Sequence, residues 1–268
     1  MSIEVYGKAV SAGNVLGAIL ALETIDDLNT AYDELAERTI LGYAVEYNMI
    51  SIVPTLLQKG AAINGISEGG RQPLHFAADE DITEMVELLI QAGADIEAKS
   101  NDDWTPLHHA ARWDNTSVIS LLLRAGADAN CKGDDGATPL HLCARQGLHG
   151  AMKLLIDGGA EVNALDFDFW TPLHLATTWG FDETVDVLLN AGANVNVVGP
   201  KGLTPLHQVS VLTTSNRLDL ASVLLEKGAD VLVKDFAKKT PLDVALSRKD
   251  EQMVHLFKKY IKKKRLSV

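Results

Sequence analysis

The chain has 268 residues, 47% of them hydrophobic, and a formal net charge of −12 at neutral pH. An acidic protein lacks the positive charge that neutralises phosphates, so nucleic acid is excluded as the expected partner. Two cysteines, Cys131 and Cys143, are too few for a disulfide scaffold. We therefore expect a cytoplasmic protein, although a periplasmic or secreted protein whose leader has been removed would look the same.

The first 66 residues predict divergent structural units. Val15 to Leu22 is apolar but lacks the basic start of a signal peptide, and it is too short to span a membrane. It fits the second helix of a terminal unit that begins near Ile3. Thr39 then starts another helix, and Gly60 ends the helix pair to which it belongs. This region is predicted to be structural, without a membrane span.

From residue 67 the sequence repeats itself. The motif Thr-Pro-Leu-His begins every 33 residues at Thr105, Thr138, Thr171 and Thr204. Variants of it lie at Gln72 to His75 and Thr240 to Asp243. A second marker, Gly-Ala followed by Asp, Glu or Asn, runs in phase at Gly93, Gly126, Gly159, Gly192 and Gly228. Two markers that share one period predict a repeat protein.

Each repeat can be derived from local physical chemistry. Thr105 is a good helix N-cap, and Pro106 suits the first helical position because its missing N–H costs nothing there. A second helix carries apolar residues at the spacing of one face. Gly126 then supplies the left-handed residue that ends the helix, and a turn-rich finger leads to the next repeat. One helix pair cannot bury its apolar face alone, so the repeats must stack.

The motif and its period resemble those of the ankyrin repeat family over nearly the whole chain, most strongly over residues 67–246. The resemblance implies an all-α ankyrin-repeat solenoid of about eight helix-turn-helix units with finger-like β-turn loops. We expect one domain over residues 1–268. It would comprise divergent N-terminal units (1–66), regular repeats (67–235), a C-terminal capping unit (236–262) and a basic tail (263–268).

The six basic residues near the C-terminus leave three interpretations open. They could form a nuclear-import signal, make a weak membrane contact, or simply be the solvated positions of a last helix that closes the stack. Met253 and Phe257 belong to an apolar stripe on that helix, and Lys suits a helix C-terminus. The closing helix is the favoured interpretation.

The repeated histidines do not predict a metal site. The resemblance implies that each bonds neighbouring backbone and Thr hydroxyl groups. Helices pack 8–10 Å apart, whereas Zn–N bonds are near 2 Å, so histidines of successive repeats cannot share one zinc. No phosphate-binding or nucleophile motif is present, and carboxylate pairs such as Asp102 with Asp103 lie in exposed turns where burial cannot tune their pKa. We expect no catalytic residues, no metal and no cofactor.

One finger departs from the expected turn chemistry. The turn position filled by Gly136 and Gly202 is held by Asp103, Phe169 and Lys238 in other repeats. A bulky Phe does not readily adopt a positive φ. The sequence therefore predicts a different turn type at Phe169.

The four tryptophans occupy two slots of the repeat, each filled twice at an interval of two periods. Trp104 and Trp170 precede the motif, whereas Trp113 and Trp179 end the first helix. The resemblance implies that both slots line a concave groove used for partner contacts. Trp is enriched at binding hot spots, so we predict exposed rings at an interface. The alternative is that each ring packs flat on a neighbouring helix.

Acidic and aromatic residues surround these slots and complete the predicted partner-binding surface. Its residues are Trp104, Trp113, Trp170, Trp179, Asp102, Asp103, Asp134, Asp135, Phe167, Asp168, Phe169, Arg112, Arg145, Tyr47, Asp79 and Glu80. Such a surface suits a basic protein partner, or one with an apolar projection flanked by Lys or Arg. The sequence predicts a non-catalytic adaptor or scaffold that is monomeric alone. An inhibitor or immunity-type protein that occludes an enzyme's active site is the alternative.

Overall fold

The computed structural model describes residues 2–32 and 37–266. These residues form two compact units, Met1–Asp134 and Asp135–Val268, with four helix pairs in each. Unit 1 contains α1 (Ser2–Ser11), α2 (Val15–Leu22), α3 (Ile40–Glu46), α4 (Val53–Gln58), α5 (Pro73–Asp79), α6 (Thr83–Gln91), α7 (Pro106–Arg112) and α8 (Thr116–Arg124). Unit 2 contains α9 (Pro139–Gln146), α10 (His149–Asp157), α11 (Pro172–Trp179), α12 (Asp182–Asn190), α13 (Pro205–Val209), α14 (Arg217–Glu226), α15 (Pro241–Ser247) and α16 (Glu251–Leu266). Regular structure in the described residues is helical apart from short 3₁₀ turns, which confirms the all-α prediction.

The first helix of each regular repeat starts as the sequence predicts. Thr171 has extended backbone angles, and Pro172 occupies the first helical position. The Thr171 hydroxyl accepts the backbone N–H of His174 at 3.4 Å, while His174 Nδ1 accepts the backbone N–H of Thr171 at 3.2 Å. Two N–H groups that the helix itself cannot satisfy are thereby bonded. In the last repeat the Asp243 carboxylate takes the place of the histidine ring.

Within each unit, first helices pack on first helices and second helices on second helices. In unit 1, α5 contacts α7 and α6 contacts α8, and in unit 2, α9 contacts α11 and α10 contacts α12. The small Ala110 and Ala111 are completely buried, as are Cys143 and Leu140. Full burial of one Leu side chain contributes about 1.5–3 kcal/mol, so these slots hold the stack together.

The fingers are joined by backbone hydrogen bonds. In unit 2 the Phe167 N–H donates to the Asp135 carbonyl oxygen at 3.0 Å, and the Phe236 N–H donates to that of Lys201 at 3.0 Å. The prediction of a different turn at Phe169 is wrong. Phe169 has φ 65°, close to the 76° of Gly136, and its N–H donates to the Asp166 carbonyl at 3.1 Å in the pattern of the other fingers. The shared backbone bonding imposes the turn despite its cost to a bulky residue.

The last helix extends further than the sequence suggests. Met253 and Phe257 are completely buried on the apolar face of α16, which closes unit 2. Lys263 and Lys264 continue that helix as exposed residues rather than forming a separate tail. Ser267 and Val268, also assigned to the basic tail, lie outside the described residues.

Candidate functional site

The two tryptophan slots differ in exposure. Trp113 and Trp179 are 57% and 58% exposed, whereas Trp104 and Trp170 are half-buried. Trp104 lies nearly parallel to the ring of His108, with centroids 5.9 Å apart, and Trp170 meets the ring of its own motif histidine edge-on. The predicted exposure of all four rings therefore holds for the slot that ends the first helix. The slot before the motif contributes to packing.

In unit 1 the exposed Trp113 is anchored by a group that we call the Asp79 network: Arg71, Asp79, His109, Trp113 and Asn115. Asp79 ends α5, and its carboxylate pairs with the Arg71 guanidinium. Its Oδ1 accepts His109 Nδ1–H at 2.9 Å and Trp113 Nε1–H at 3.1 Å. Asn115 donates to the Asp79 carbonyl oxygen at 2.9 Å. Asp79 was predicted as a partner contact, but the structure uses it to join three side chains of its own unit.

Charge balance within this network sets the protonation of two groups. Burial raises the pKa of Asp79, but the His109 hydrogen bond and the Arg71 charge outweigh it, and the pKa of Asp79 lies below its ordinary value. Burial, with a contribution from neighbouring His109, lowers the pKa of His75 to about 4. Asp79 is therefore ionised and His75 neutral at physiological pH.

A second cluster in unit 1 stacks two arginines on one aromatic ring. The Arg38 and Arg71 guanidinium carbons lie 5.3 Å and 4.2 Å from the centroid of the Phe76 ring. Arg38 also pairs with the carboxylate of Glu46, and Arg71 with that of Asp79. Each guanidinium carbon thus lies over the ring while N–H groups of the same side chain pair with a carboxylate. We call this cluster the Phe76 stack.

The other predicted residues of unit 1 lie at the surface. Arg112 is exposed, with its guanidinium carbon 5.6 Å from the Trp104 ring centroid and 5.2 Å from that of Trp113. Tyr47 is exposed and lies against the Tyr43 ring, with centroids 4.6 Å apart. The acidic residues Glu80, Asp102, Asp103 and Asp134 are exposed as well.

In unit 2 the exposed Trp179 has different surroundings. It is the last residue of α11 and precedes Gly180, which adopts a left-handed conformation with φ 75°. Within the described residues its indole N–H has no hydrogen-bond partner. The nearby interior is held instead by a neutral bond, from the Thr177 hydroxyl to the Gln208 side-chain oxygen at 2.8 Å. Trp179 is exposed without the anchor that Trp113 has.

One finger of unit 2 carries two exposed aromatic rings beside carboxylates. Phe167 and Phe169 are 65% and 64% exposed, and Asp135 and Asp168 are exposed next to them in the fold. The buried Asp166 carboxylate accepts the Trp170 N–H at 2.8 Å. Burial raises the pKa of Asp166, backbone hydrogen bonds oppose this, and the charges of Asp168 and Asp135 raise it further. This finger therefore combines apolar surface with concentrated negative charge.

Arg145 lies at the edge of the same region. It is exposed, and its Nη2 is 3.8 Å from Asp135 Oδ2. An exposed pair at this distance contributes little to stability. Arg145 therefore neutralises only part of the negative charge near the finger.

The motif histidines are fully used in holding the repeats. In His141, Nδ1 accepts the Thr138 N–H at 3.1 Å and Nε2–H donates to the Trp170 carbonyl at 3.2 Å. His174 and His207 repeat this arrangement. In the part of the chain that the structure describes, no three His, Cys, Asp or Glu side chains lie close enough together to hold a metal ion. Nor does any helix there combine the length and apolarity needed to cross a membrane.

Comparison with known proteins agrees with this architecture. A family model described as ankyrin repeats (3 copies) matches residues 8–100, 41–133, 107–198 and 150–235. The overlapping matches cover most of the chain and confirm the resemblance drawn from the Thr-Pro-Leu-His motif. No curated protein matches the sequence.

Proposed function

The chain belongs to the ankyrin repeat family, and from that premise we propose that it is a non-catalytic adaptor or scaffold that binds a protein partner through an acidic, Trp-rich surface. Ankyrin repeats generally mediate protein–protein interaction, and the family is typically non-catalytic. The observation that carries the proposal is the exposure of Trp113 and Trp179, which fill the same slot in different repeats. Both rings end the first helix of their repeat, and the family resemblance implies partner contacts for that slot.

The exposed tryptophans are not needed to fill the core. Leu107 and Leu173, each buried to 99%, already supply the apolar contact of their first helices. Covering a large exposed ring with a partner removes apolar surface from water, which favours binding. Trp is also the residue type most enriched at binding hot spots. This supports a role for both rings in partner contact.

Exposed acidic residues in each unit support a choice of partner. In unit 1, Glu80 and Asp102 are exposed, and in unit 2, Asp135 and Asp168 are exposed. Complementary charge speeds association and disfavours wrong partners. We propose a partner with an apolar projection flanked by Lys or Arg.

The proposal is tested by affinity capture from native lysate with three baits. These are the wild type, the double variant Trp113→Ala/Trp179→Ala, and a control, Leu16→Ser/Leu20→Ser, which removes exposed apolar surface from α2. We expect a captured protein to be retained by the wild type and the control and lost by the tryptophan variant. A captured protein retained by all three baits would contradict the proposed surface.

The captured partner then separates an adaptor from an inhibitor. If it is an enzyme, its activity is measured with one equivalent of the wild-type protein added. Unchanged activity supports an adaptor, whereas abolished activity shows that the chain inhibits its partner.

We also propose that the protein is cytoplasmic and monomeric alone. Neither Cys131 nor Cys143 takes part in a disulfide, which suits a reducing compartment. Cell fractionation tests the location, and light scattering of the purified protein tests the monomer.

A further inference from the structure

The acidic aromatic finger of unit 2 has a definite chemical character. We define the Phe169 finger surface as Asp135, Phe167, Asp168 and Phe169. Its two rings are among the most exposed large apolar side chains of the described residues. The Phe167 N–H donates to the Asp135 carbonyl oxygen at 3.0 Å, and Asp168 stands between the two phenylalanines, so both acidic residues adjoin these rings.

Phe169 occupies its position at a cost in backbone conformation. Its φ of 65° is a left-handed conformation that bulky L-residues rarely adopt, and Gly202 holds the same turn position in another finger of unit 2. Glycine would relieve the strain, and the exposure of the Phe169 ring shows that it is not a core residue. The Phe169 side chain is therefore available for contacts outside the protein and is not needed to stabilise the fold.

The chain itself shows what a Phe ring beside a carboxylate can hold. In the Phe76 stack, the guanidinium carbon of Arg71 lies 4.2 Å from the ring centroid while its N–H groups pair with Asp79. Arg38 repeats the arrangement with Glu46. The Phe169 finger surface presents the same chemical groups to solvent.

We propose that the Phe169 finger surface docks an arginine side chain of a protein partner. The guanidinium plane lies on the Phe169 ring, and its N–H groups donate to Asp135 and Asp168. Lysine has a compact ammonium group without the planar fork, so it fits this combination less well. This inference rests on the proposed partner-binding function and narrows the partner to one with an exposed arginine.

The same unit contains a matched finger of opposite charge. Phe236 is 75% exposed and occupies the position equivalent to Phe167. A Cβ added to Gly202 would lie 2.6 Å from the Phe236 ring, just as one added to Gly136 would lie 2.6 Å from that of Phe167. Lys201 and Lys238 stand where the Phe169 finger surface has Asp135 and Phe169. Phe236→Ala therefore removes equal aromatic surface from a finger that repels arginine.

The test uses nuclear magnetic resonance titration of the full-length, ¹⁵N-labelled chain. The probes are the blocked peptides acetyl-Ala-Arg-Leu-Arg-Ala-amide and acetyl-Ala-Lys-Leu-Lys-Ala-amide. We expect saturable shifts of the amide signals of residues 167–169, with the lysine peptide about three- to tenfold weaker. Equal affinity for the two peptides, or shifts centred on residues 235–238, would overturn the proposal.

Three variants identify which side chains bind the arginine peptide in this titration. Phe169→Gly is expected to weaken the arginine peptide at least about fivefold, while its unfolding temperature stays the same or rises by about 2–4 °C. Asp135→Asn/Asp168→Asn should weaken it similarly, and Phe236→Ala should leave it unchanged. Unchanged affinity in Phe169→Gly, with the fold intact, would overturn the proposal.

The titration needs no captured partner, so its failure is distinct from that of the proposed function. If the tryptophan variant loses a partner but neither peptide shifts residues 167–169, the binding function stands and arginine docking is wrong. If Phe169→Gly also loses that partner and the arginine peptide competes for it, both are supported.

Discussion

Trp113 and Trp179 fill the same slot of different repeats and are almost equally exposed, yet their surroundings differ. The Trp113 indole N–H donates to Asp79 at 3.1 Å, and the Arg112 guanidinium lies beside its ring. No such bond holds the Trp179 indole within the described residues. Equal exposure therefore does not mean equal attachment, because the Trp113 ring is held by a hydrogen bond and the Trp179 ring, in the described part of unit 2, is not.

The difference arises from two neighbouring slots. In unit 1, α5 ends with Asp79, and His109 stands in α7. The corresponding positions in α9 and α11 of unit 2 hold Arg145 and Leu175, which offer Trp179 neither a carboxylate nor a bridging imidazole. A contact that fixes one tryptophan thus depends on residues about one repeat away from it.

The largest change in the free energy of unfolding is expected from acid, because both units contain a buried neutral histidine. Burial lowers the pKa of His75 and of His174 to about 4, against an ordinary value near 6.5. Between these values the unfolded chain binds more protons than the folded one. The contribution of these two histidines to the free energy of unfolding should therefore be fully present above about pH 6.5. The free energy of unfolding should fall by several kcal/mol as the pH drops to about 4. Urea midpoints measured across this range check the loss.

Histidine ring signals in nuclear magnetic resonance assign this loss to the two residues. Both rings should stay neutral until the pH approaches 4. A ring that titrates near pH 6.5 in the folded protein would contradict the prediction for its unit.

The next effect breaks the anchor of unit 1. Asp79→Ala removes the acceptor shared by Arg71, His109 and Trp113, and it leaves partly buried donors without a partner. We expect a loss of about 2–4 kcal/mol in the free energy of unfolding. The matched control is Thr178→Ala, at the same helix position in unit 2, where the side chain is exposed and a change within about 0.5 kcal/mol is expected. Similar losses in both variants, measured by urea unfolding, would show that Asp79 is not a special anchor.

The smallest effect compares the tryptophans directly. Trp113→Ala should cost about 1 kcal/mol more in unfolding free energy than Trp179→Ala, because only Trp113 gives up a hydrogen bond to a carboxylate. Paired urea titrations of the two single variants measure the difference. Equal costs would mean that the Asp79 bond contributes nothing to stability.

The helix starts were predictable because their causes are local. A threonine cap, a proline at the first helical position and a histidine that returns to the cap all lie within four residues, as in Thr171 to His174. The half-burial of Trp104 was less accessible, since it depends on contacts with Gly133 in the next finger, where an added Cβ would meet the Trp104 ring at 2.9 Å.

The Asp79 network and the Phe169 turn lay beyond local reasoning. Within its own helix, His109 has only His108 as a neighbouring histidine, and consecutive helix positions do not converge on one site. Its actual partner, Asp79, is 30 residues earlier. Intrinsic backbone preference predicts another turn type at Phe169, but hydrogen bonding between fingers decides the turn. In both cases the deciding contact comes from the adjacent repeat.

The backbone bonds between fingers have a consequence for how this protein can change. Because the Phe167 and Phe236 amides bond to carbonyl groups of the preceding finger, the register of the fingers does not depend on which side chains they carry. Aspartate, phenylalanine, lysine and glycine all occupy the same turn position. Single substitutions at the finger turns can therefore change the exposed side chains while the backbone hydrogen bonds between fingers stay the same. New binding specificities can arise in this way without a change of fold.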